Sequence, residues 1–305
     1  MRTLDADAVW SSLSHTEAIE ALERAFRDGD PSATPQRSSL ETAAGTLLLM
    51  PSTDARATGV KLVTLTPGNP SRGHPLIHAT YVLFDGSTQA PLAVLDGGAL
   101  TALRTSSVSA LATRYLARPD ATRLVVFGAG VQAAAHVDAM RAERPIEHVT
   151  VVGRDRTRAA ALVERIRQGE IDATAGDPGS VASADIVCTC TTSKTPLFDG
   201  SSLPPGAHVN AVGAFRPVDR EVDTETVRRA RVVVETRAVA AEEAGDLLIP
   251  IAEGAIGWDH VVADLAEVTR GAQVRRSPDD VTFFGSVGLA FEDLAIASAI
   301  VGSPS

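Results

Sequence analysis

Hydrophobic and polar positions alternate with more than one period along the chain. In the first third, the pattern predicts one helix and several strands. Ser14 and Glu17 are spaced as a capping box, and apolar residues follow at helical spacing until Gly29. Short apolar runs between Pro and Gly turns then predict strands at 46–50, 60–66, 77–84 and 91–95. A long helix is predicted over 100–117, and it ends before the turn-forming sequence at 118–120.

Strands and helices alternate regularly from residue 120 onward. Strands are predicted at 123–127, 149–152, 186–190, 209–212 and 232–235, with helices at 131–143 and 157–167. Such alternation is typical of parallel strands joined by crossover helices. We therefore predict an α/β fold, with a doubly wound domain at 120–287 and an α+β domain at 1–119. An apolar helix in the segment 288–305 is predicted to return to the first domain.

Composition and charge narrow the class of protein. The 305 residues carry a formal net charge of −10, which argues against nucleic acid or an anionic membrane as partner. No apolar run is long enough to span a bilayer, and the N-terminus lacks the apolar core of a signal peptide, so we expect a cytoplasmic protein. Cys188 and Cys190 fit neither a C-x-x-C motif nor a zinc site, which predicts buried, reduced thiols and no metal.

Among 28 basic residues only Lys61 and Lys194 are lysines. Lys61 lies in an apolar strand, where an anion or a catalytic role would offset its desolvation; the alternative is an edge-strand lysine whose ammonium reaches solvent. Arg104 has small and apolar neighbours on its helix face, which suits bidentate capture of a carboxylate. Arg37, in the polar connector 31–39, is a third candidate cation. For Lys194, in a polar loop, only a solvated or cofactor-edge position is expected.

A dinucleotide fingerprint begins where the strand 123–127 ends. Gly128, Gly130 and Ala133 form a G-x-G-x-x-A motif between a strand and a helix. The first glycine permits the tight turn, and the second lets the backbone approach a pyrophosphate. The alanine permits close helix–strand packing, and the helix N-terminus offers free N–H groups. This context predicts a Rossmann domain that binds NAD(P).

The end of the next strand bears on which dinucleotide binds. Gly153 is followed by Arg154, Asp155 and Arg156. A neutral residue and then arginine suit a 2′-phosphate, so NADPH is favoured over NADH. Two alternatives stay open: the arginines form a solvated helix start, or Asp155 accepts from a ribose hydroxyl.

Several motifs together resemble the ornithine cyclodeaminase/mu-crystallin family. They are Gly59-Val-Lys61 with Asn69, then 95–106, Gly128–Gln132, 211–217 and 286–293, so the resemblance covers nearly the whole chain. It implies an N-terminal substrate and dimerisation domain, a Rossmann domain, a returning C-terminal helix and a homodimer. The substrate contacts that it implies are Arg37, Lys61, Arg104 and Val287. The cofactor contacts that it implies, beside the fingerprint, are Val131, Gln132, Thr191, Val212 and Ser286.

Two departures from the family pattern bear on the activity. Cyclodeaminases of this family carry Glu and Asp at the positions of Leu48 and Phe215, so the chain looks more like the ketimine reductase branch. The hypothesis is NAD(P)H-dependent reduction of a cyclic ketimine carboxylate, delta-1-pyrroline-2-carboxylate or its piperideine homologue, to L-proline or L-pipecolate. Arg37 and Arg104 would hold the carboxylate, and Lys61 would help to hold it or serve as the catalytic acid. The alternatives are reductive amination of a 2-oxo acid, cyclodeamination of ornithine, and NADPH-dependent ligand binding without catalysis.

Overall fold

Within residues 1–302, the part of the chain that the computed structural model describes, fourteen strands and ten helices form, besides short 3₁₀ turns. The strands are β1 (Arg2–Leu4), β2 (Ser38–Thr42), β3 (Gly45–Thr53), β4 (Ala57–Leu65), β5 (Ile77–Asp85), β6 (Pro91–Asp96), β7 (Arg123–Phe127), β8 (His148–Val152), β9 (Asp172–Ala175), β10 (Ile186–Thr189), β11 (His208–Ala211), β12 (Ala230–Val234), β13 (Val261–Asp264) and β14 (Val281–Gly285). The helices are α1 (Ala6–Ser12), α2 (His15–Asp28), α3 (Gly97–Leu116), α4 (Val131–Glu143), α5 (Arg156–Gln168), α6 (Thr224–Arg229), α7 (Arg237–Glu243), α8 (Gly245–Ala252), α9 (Leu265–Thr269) and α10 (Ala290–Val301). None of the helices in this part of the chain is long and apolar enough to cross a membrane.

The chain forms two compact units. Unit 1 contains Met1–Arg104 and the described residues from Leu289 onward, and unit 2 contains Thr105–Gly288. The division falls inside α3, whereas the sequence places a boundary at residues 119 and 120, after the helix. The reason is that the later turns of α3 bond within unit 2: Thr113 Oγ1 accepts from Asn210 Nδ2 at 3.0 Å. Residues 303–305 of the predicted C-terminal segment lie outside the described residues.

Unit 1 is built on a six-stranded sheet in the order β1-β6-β5-β4-β3-β2. Its pairs are antiparallel except for the parallel pair of β1 and β6. The helix predicted after Ser14 is confirmed as α2, with the capping box to Glu17 formed. Phe26 of α2 meets Phe291 of α10 at 5.2 Å between ring centres, and Ala290 of α10 packs on Met50 and Val63 of the sheet. The C-terminal helix thus belongs to unit 1.

The other face of this sheet is open and carries an apolar patch on β2, β3 and β4. In β4, buried and half-buried residues alternate, so the side chains next to the buried ones point to the opposite face. Leu62 of β4 pairs with Leu49 of β3, and Leu40 of β2 pairs with Leu47 on the same face. Leu40 is 58% exposed and the other three are half-buried. β2 was not predicted, because all five of its residues are exposed and its sequence carries no apolar alternation.

Unit 2 is a doubly wound parallel sheet, as predicted. Its order is β13-β12-β14-β11-β10-β7-β8-β9, and every pair is parallel. The chain order of the five strands from β9 to β11 is 3-2-1-4-5, the order of dinucleotide-binding sheets. The helix predicted at 131–143 is confirmed as α4. β14 was not predicted: all five of its residues are buried, and such a short apolar run has no periodicity to distinguish strand from helix.

Candidate functional site

A buried lysine marks the centre of a charged cluster in unit 1. Lys61 lies in the middle of β4 and is only 2% exposed. Its Nζ lies 2.9 Å from Oδ1 and 2.8 Å from Oδ2 of Asp293 on α10, and it donates to Thr101 Oγ1 at 3.3 Å. The edge-strand alternative is therefore wrong, because β4 is a central strand and the ammonium does not reach solvent.

A second buried cation joins this cluster from α3. Arg104 Nη1 donates to Oε2 of Glu292 at 2.7 Å, and its Nε lies 3.3 Å from Oδ1 of Asp293. Glu292 and Asp293 are fully buried. Two adjacent residues of α10 thus hold Lys61 and Arg104 in one place, with Asp293 between them.

The charges of the cluster act on the lysine in opposite directions. Burial lowers the pKa of Lys61 to about 8, the carboxylate of Asp293 opposes this change, and the positive charges of Arg104 and Arg37 add to it. Arg37, half-buried and one residue before β2, therefore lies close enough to act on Lys61. The structure thus places Lys61 and Arg104 in one cluster, with Arg37 near enough for its charge to act on Lys61, which the sequence could not show.

The two carboxylates of α10 are the part of the cluster that sequence reasoning missed. The sequence did contain an indication of them, because Glu292 and Asp293 are adjacent acids in an otherwise apolar helix. Buried carboxylates require partners, so such a pair predicts cations nearby. Leu48, where the family's cyclodeaminases carry Glu, packs on the small apolar cluster of Met50, Val63 and Ala290.

The fingerprint of unit 2 has the geometry that a dinucleotide needs. Gly128 follows β7 with φ +110°, and a Cβ there would lie 2.5 Å from the carbonyl oxygen of Cys190, so the loops after β7 and β10 touch. At Gly130, apart from the glycine and its two chain neighbours, no atom of the described residues lies within 4 Å of the position of a Cβ. The backbone is open at the point where a pyrophosphate approaches.

The start of α4 shows two further features of a binding site. Gly130 caps the helix without a side chain, and Val131, its first residue, is 67% exposed. Oε1 of Gln132 is buried and has no hydrogen-bond partner among the described residues. Free N–H groups, an exposed apolar side chain and an orphaned acceptor at one helix start fit a bound NAD(P).

The segment after β8 presents unpaired positive charge. Asp155 caps α5 by accepting from the backbone N–H groups of Thr157 and Arg158, and it lies 3.5 Å from Arg158 Nε. Arg154 and Arg156 are exposed, and neither forms an ion pair within the described residues. Asp155 is thus engaged in the helix cap, while two arginines remain available to an anion.

Two buried glutamates hold the remaining predicted cofactor contacts. Glu221 accepts hydrogen bonds from the loops after β10 and β11, which carry Thr191 and Val212. Glu235 accepts from Ser286 Oγ at 2.6 Å and from the backbone N–H of Val287 at 3.0 Å, after β14. The predicted contacts therefore follow β7, β8, β10, β11 and β14, five adjacent parallel strands whose carboxyl ends share one edge. Ligands of doubly wound sheets bind at that edge. Val287, predicted as a substrate contact, lies in unit 2 beside Ser286, and its N–H donates to Glu235.

Comparison with known proteins places the chain in a family. A sequence model of the Ornithine cyclodeaminase/mu-crystallin family matches residues 3–303. The chain belongs to this family. A relative from Colwellia psychrerythraea, a Delta(1)-pyrroline-2-carboxylate reductase, is 35% identical over 317 aligned residues, which cover 99% of this chain and 98% of the relative.

Two solved structures share the fold of this chain. Delta(1)-pyrroline-2-carboxylate reductase from Thermococcus litoralis, in complex with NADH and L-proline, matches with a TM-score of 0.92 and 34% identity, covering 99% of this chain and 96% of its own. An archaeal alanine dehydrogenase dimer with bound NAD matches with a TM-score of 0.91 and 31% identity, covering 99% and 95%. This chain thus shares its α/β fold with both structures over almost its whole length.

The other residues singled out in the sequence are two cysteines, a lysine and a phenylalanine. Cys188 is buried and Cys190 half-buried, both free thiols, and burial raises the pKa of Cys188 to about 12. Lys194 is exposed, and Phe215 is 37% exposed. No group of three or more His, Cys, Asp or Glu side chains in residues 1–302 is arranged to hold a metal ion.

Proposed function

We propose that this chain reduces a cyclic ketimine carboxylate, of the pyrroline-2-carboxylate or piperideine-2-carboxylate type, to the corresponding L-imino acid with NAD(P)H. One observation carries the proposal: Lys61 and Arg104 are buried in one cluster, and Arg37 lies close enough to act on Lys61. Several cationic side chains close together suit the binding of a small carboxylate. The similarity to two pyrroline-2-carboxylate reductases, at 34% and 35% identity, supports the same reaction.

The cationic cluster binds the substrate carboxylate in this proposal. Arg104 and Arg37 offer guanidinium groups for charge-assisted hydrogen bonds. Glu292 and Asp293 fix Arg104 from the side of α10, so the side chain is already oriented before substrate binds. Leu48, on the apolar part of the sheet, replaces the glutamate of cyclodeaminases and favours a carbon ring over a substrate amine.

Lys61 supplies the proton that imine reduction consumes. The nicotinamide, when bound at the fingerprint, supplies the hydride for the imine carbon; the imine nitrogen then needs one proton to become an amine. A lysine whose pKa is lowered by burial to about 8 gives up its proton far more readily than an ordinary lysine. Thr101 and Asp293 hold the ammonium in place for that transfer.

The preferred cofactor is NADPH. Arg154 and Arg156 are exposed after β8, while Asp155 is engaged as the cap of α5. The 2′-phosphate of NADPH would meet two cations there, whereas a ribose hydroxyl would meet a carboxylate whose Oδ1 already accepts two backbone N–H groups.

An NADPH-oxidation screen tests the proposal. The substrates are five- and six-membered cyclic ketimine carboxylates, pyruvate with ammonia, and ornithine. Turnover of the cyclic ketimines is expected to exceed the others, and the favoured ring size identifies the substrate. Cofactor binding without turnover of any imine or oxo acid would contradict the proposal and indicate a ligand-binding protein.

A second candidate is reductive amination of a 2-oxo acid. The match to an archaeal alanine dehydrogenase, at 31% identity over 99% of this chain, favours it. The cationic cluster would bind the carboxylate of the oxo acid in the same way. An ammonia-dependent rate with pyruvate that exceeds the ketimine rate would decide for this candidate.

We further propose a cytoplasmic homodimer. The open apolar face of the unit 1 sheet, with Leu40, Leu47, Leu49 and Leu62, suits burial against a second copy. The free thiols Cys188 and Cys190 suit a reducing compartment.

A further inference from the structure

We infer that Glu221, a residue outside both predicted contact sets, is a positioning residue for the cofactor: its two carboxylate oxygens hold together the loops after β10 and β11. The role rests on the proposed function, because these loops carry the proposed contacts Thr191 and Val212. Glu221 is fully buried, and its side chain reaches both loops.

Each oxygen of Glu221 receives one backbone N–H and one hydroxyl. Oε1 accepts from the backbone N–H and from Oγ1 of Thr191, at 2.7 and 2.5 Å. Oε2 accepts from the backbone N–H of Gly213 and from Oγ1 of Thr189, both at 2.7 Å. One oxygen thus holds the loop after β10, while the other holds the loop after β11 and the end of β10.

The two loops are in direct contact at this point. A Cβ at Gly213 would lie 2.1 Å from the carbonyl oxygen of Thr191 and 2.6 Å from the carboxyl carbon of Glu221. Only a glycine leaves room for the loops and the carboxylate to meet. The spacing between the two loops therefore depends on the group bonded to both of them.

The backbone at Glu221 is itself held by hydrogen bonds from two directions. Its own N–H donates to Oδ1 of Asp246 at 2.7 Å, the N–H of Val222 donates to the same oxygen at 3.0 Å, and its carbonyl accepts from Leu197 N–H at 2.8 Å. The carboxylate is a fixed point against which the loops are placed. Preorganised loops lose less ordering entropy when a ligand binds.

The donor pattern makes glutamine a sharp test. Glutamine has one acceptor oxygen and one NH₂ group. Since backbone N–H groups point at both oxygens, Glu221→Gln must place its NH₂ against either Thr191 or Gly213, and one loop moves away. Asp246→Asn is the matched control: both backbone donors share Oδ1, so an amide oxygen can accept both.

The experiment titrates each variant with NADPH and with NADH, following nucleotide fluorescence, and records Tm and the substrate KM in parallel. Glu221→Gln is expected to weaken dinucleotide binding about tenfold or more, the usual effect of an unsatisfied buried N–H. The substrate KM at saturating cofactor is expected to change little, because the cationic cluster belongs to unit 1. Glu221→Asp, which keeps two oxygens, should recover part of the affinity, and Asp246→Asn should bind within about twofold of the unaltered chain.

Should Glu221→Gln fail to fold, Thr189→Val removes one donor from Oε2 with little change of volume. It is expected to weaken dinucleotide binding about threefold, in line with one hydrogen bond. A lowered Tm with unchanged dinucleotide affinity in Glu221→Gln or Thr189→Val would overturn the positioning role and leave Glu221 a structural residue. Equal losses of affinity in Asp246→Asn would also overturn it. If the unaltered chain binds neither dinucleotide, the proposed function fails instead.

Discussion

Burial and a neighbouring carboxylate change the pKa of Lys61 in opposite directions. Desolvation in the middle of β4 favours the neutral amine, and the carboxylate of Asp293 favours the ammonium. The resulting pKa of about 8 places the change of protonation near neutral pH, where a proton donor is most effective. Arginine at the same place would stay protonated at any working pH.

Replacing Lys61 by Arg therefore separates charge from proton transfer. Lys61 is protonated below its pKa of about 8, so kcat/KM of the unaltered enzyme should fall as pH rises above about 8. In Lys61→Arg we expect kcat/KM to drop about a hundredfold at pH 7 and the decline above pH 8 to disappear. Steady-state rates between pH 6 and 10 check this, and near-normal turnover in the variant would refute proton donation by Lys61.

Removing the counter-charge should move the same titration. Asp293 raises the pKa of Lys61, so Asp293→Asn should shift the decline of kcat/KM to below pH 8. Breaking this buried ion pair should also lower the free energy of unfolding by about 3 kcal/mol.

The adjacent variant Glu292→Gln is the control, because Glu292 bonds Arg104 and not Lys61. It should weaken substrate binding while the pH decline stays near 8. Identical pH profiles in the two variants would show that Asp293 does not set the pKa of Lys61.

At the scale of elements, the β7–α4 unit was predictable because its sequence signal is local. The strand, the glycine turn and the helix start lie within ten consecutive residues, and the structure places α4 at the predicted bounds. The cationic cluster is the opposite case, since Lys61 and Asp293 are 232 residues apart. The spacing of apolar residues predicts that α10 packs through an apolar side. It does not predict that the acidic residues of α10 contact Lys61. The edge strand β2 gave no signal because nothing in it is buried.

The β8–α5 junction predicts a discrimination between cofactors. The double variant Arg154→Ala with Arg156→Ala should raise the Kd for NADPH about tenfold, because charge-assisted hydrogen bonds to a 2′-phosphate are lost. The Kd for NADH should change less than about twofold. Fluorescence titration with both dinucleotides measures the ratio.

Arg158→Ala offers a matched comparison on the same helix, since Arg158 is exposed but already lies 3.5 Å from Asp155. It should leave the ratio of the two Kd values unchanged. Tighter binding of NADH than NADPH by the unaltered chain would contradict the role of the two arginines.

At the scale of the whole molecule, the open sheet face predicts the oligomeric state. Leu62→Asp places a charge beside Leu49, near the centre of this face, and should convert a dimer to a monomer while unit 1 stays folded. Light scattering measures the mass, and circular dichroism checks the fold. Val218→Asp, at a residue 70% exposed in unit 2, should leave the mass unchanged. A monomeric mass for the unaltered chain would refute the dimer.

Because the chain has only two lysines, the side chain of the proposed proton donor can be observed directly by NMR. Of the two lysines, Lys61 is buried and Lys194 is exposed. A protein grown on isotopically labelled lysine should give only two side-chain NMR signals, one from each environment. The Lys194 signal then serves as an internal reference from an exposed lysine, and the movement of the Lys61 signal with pH reports its protonation at each stage of ligand binding.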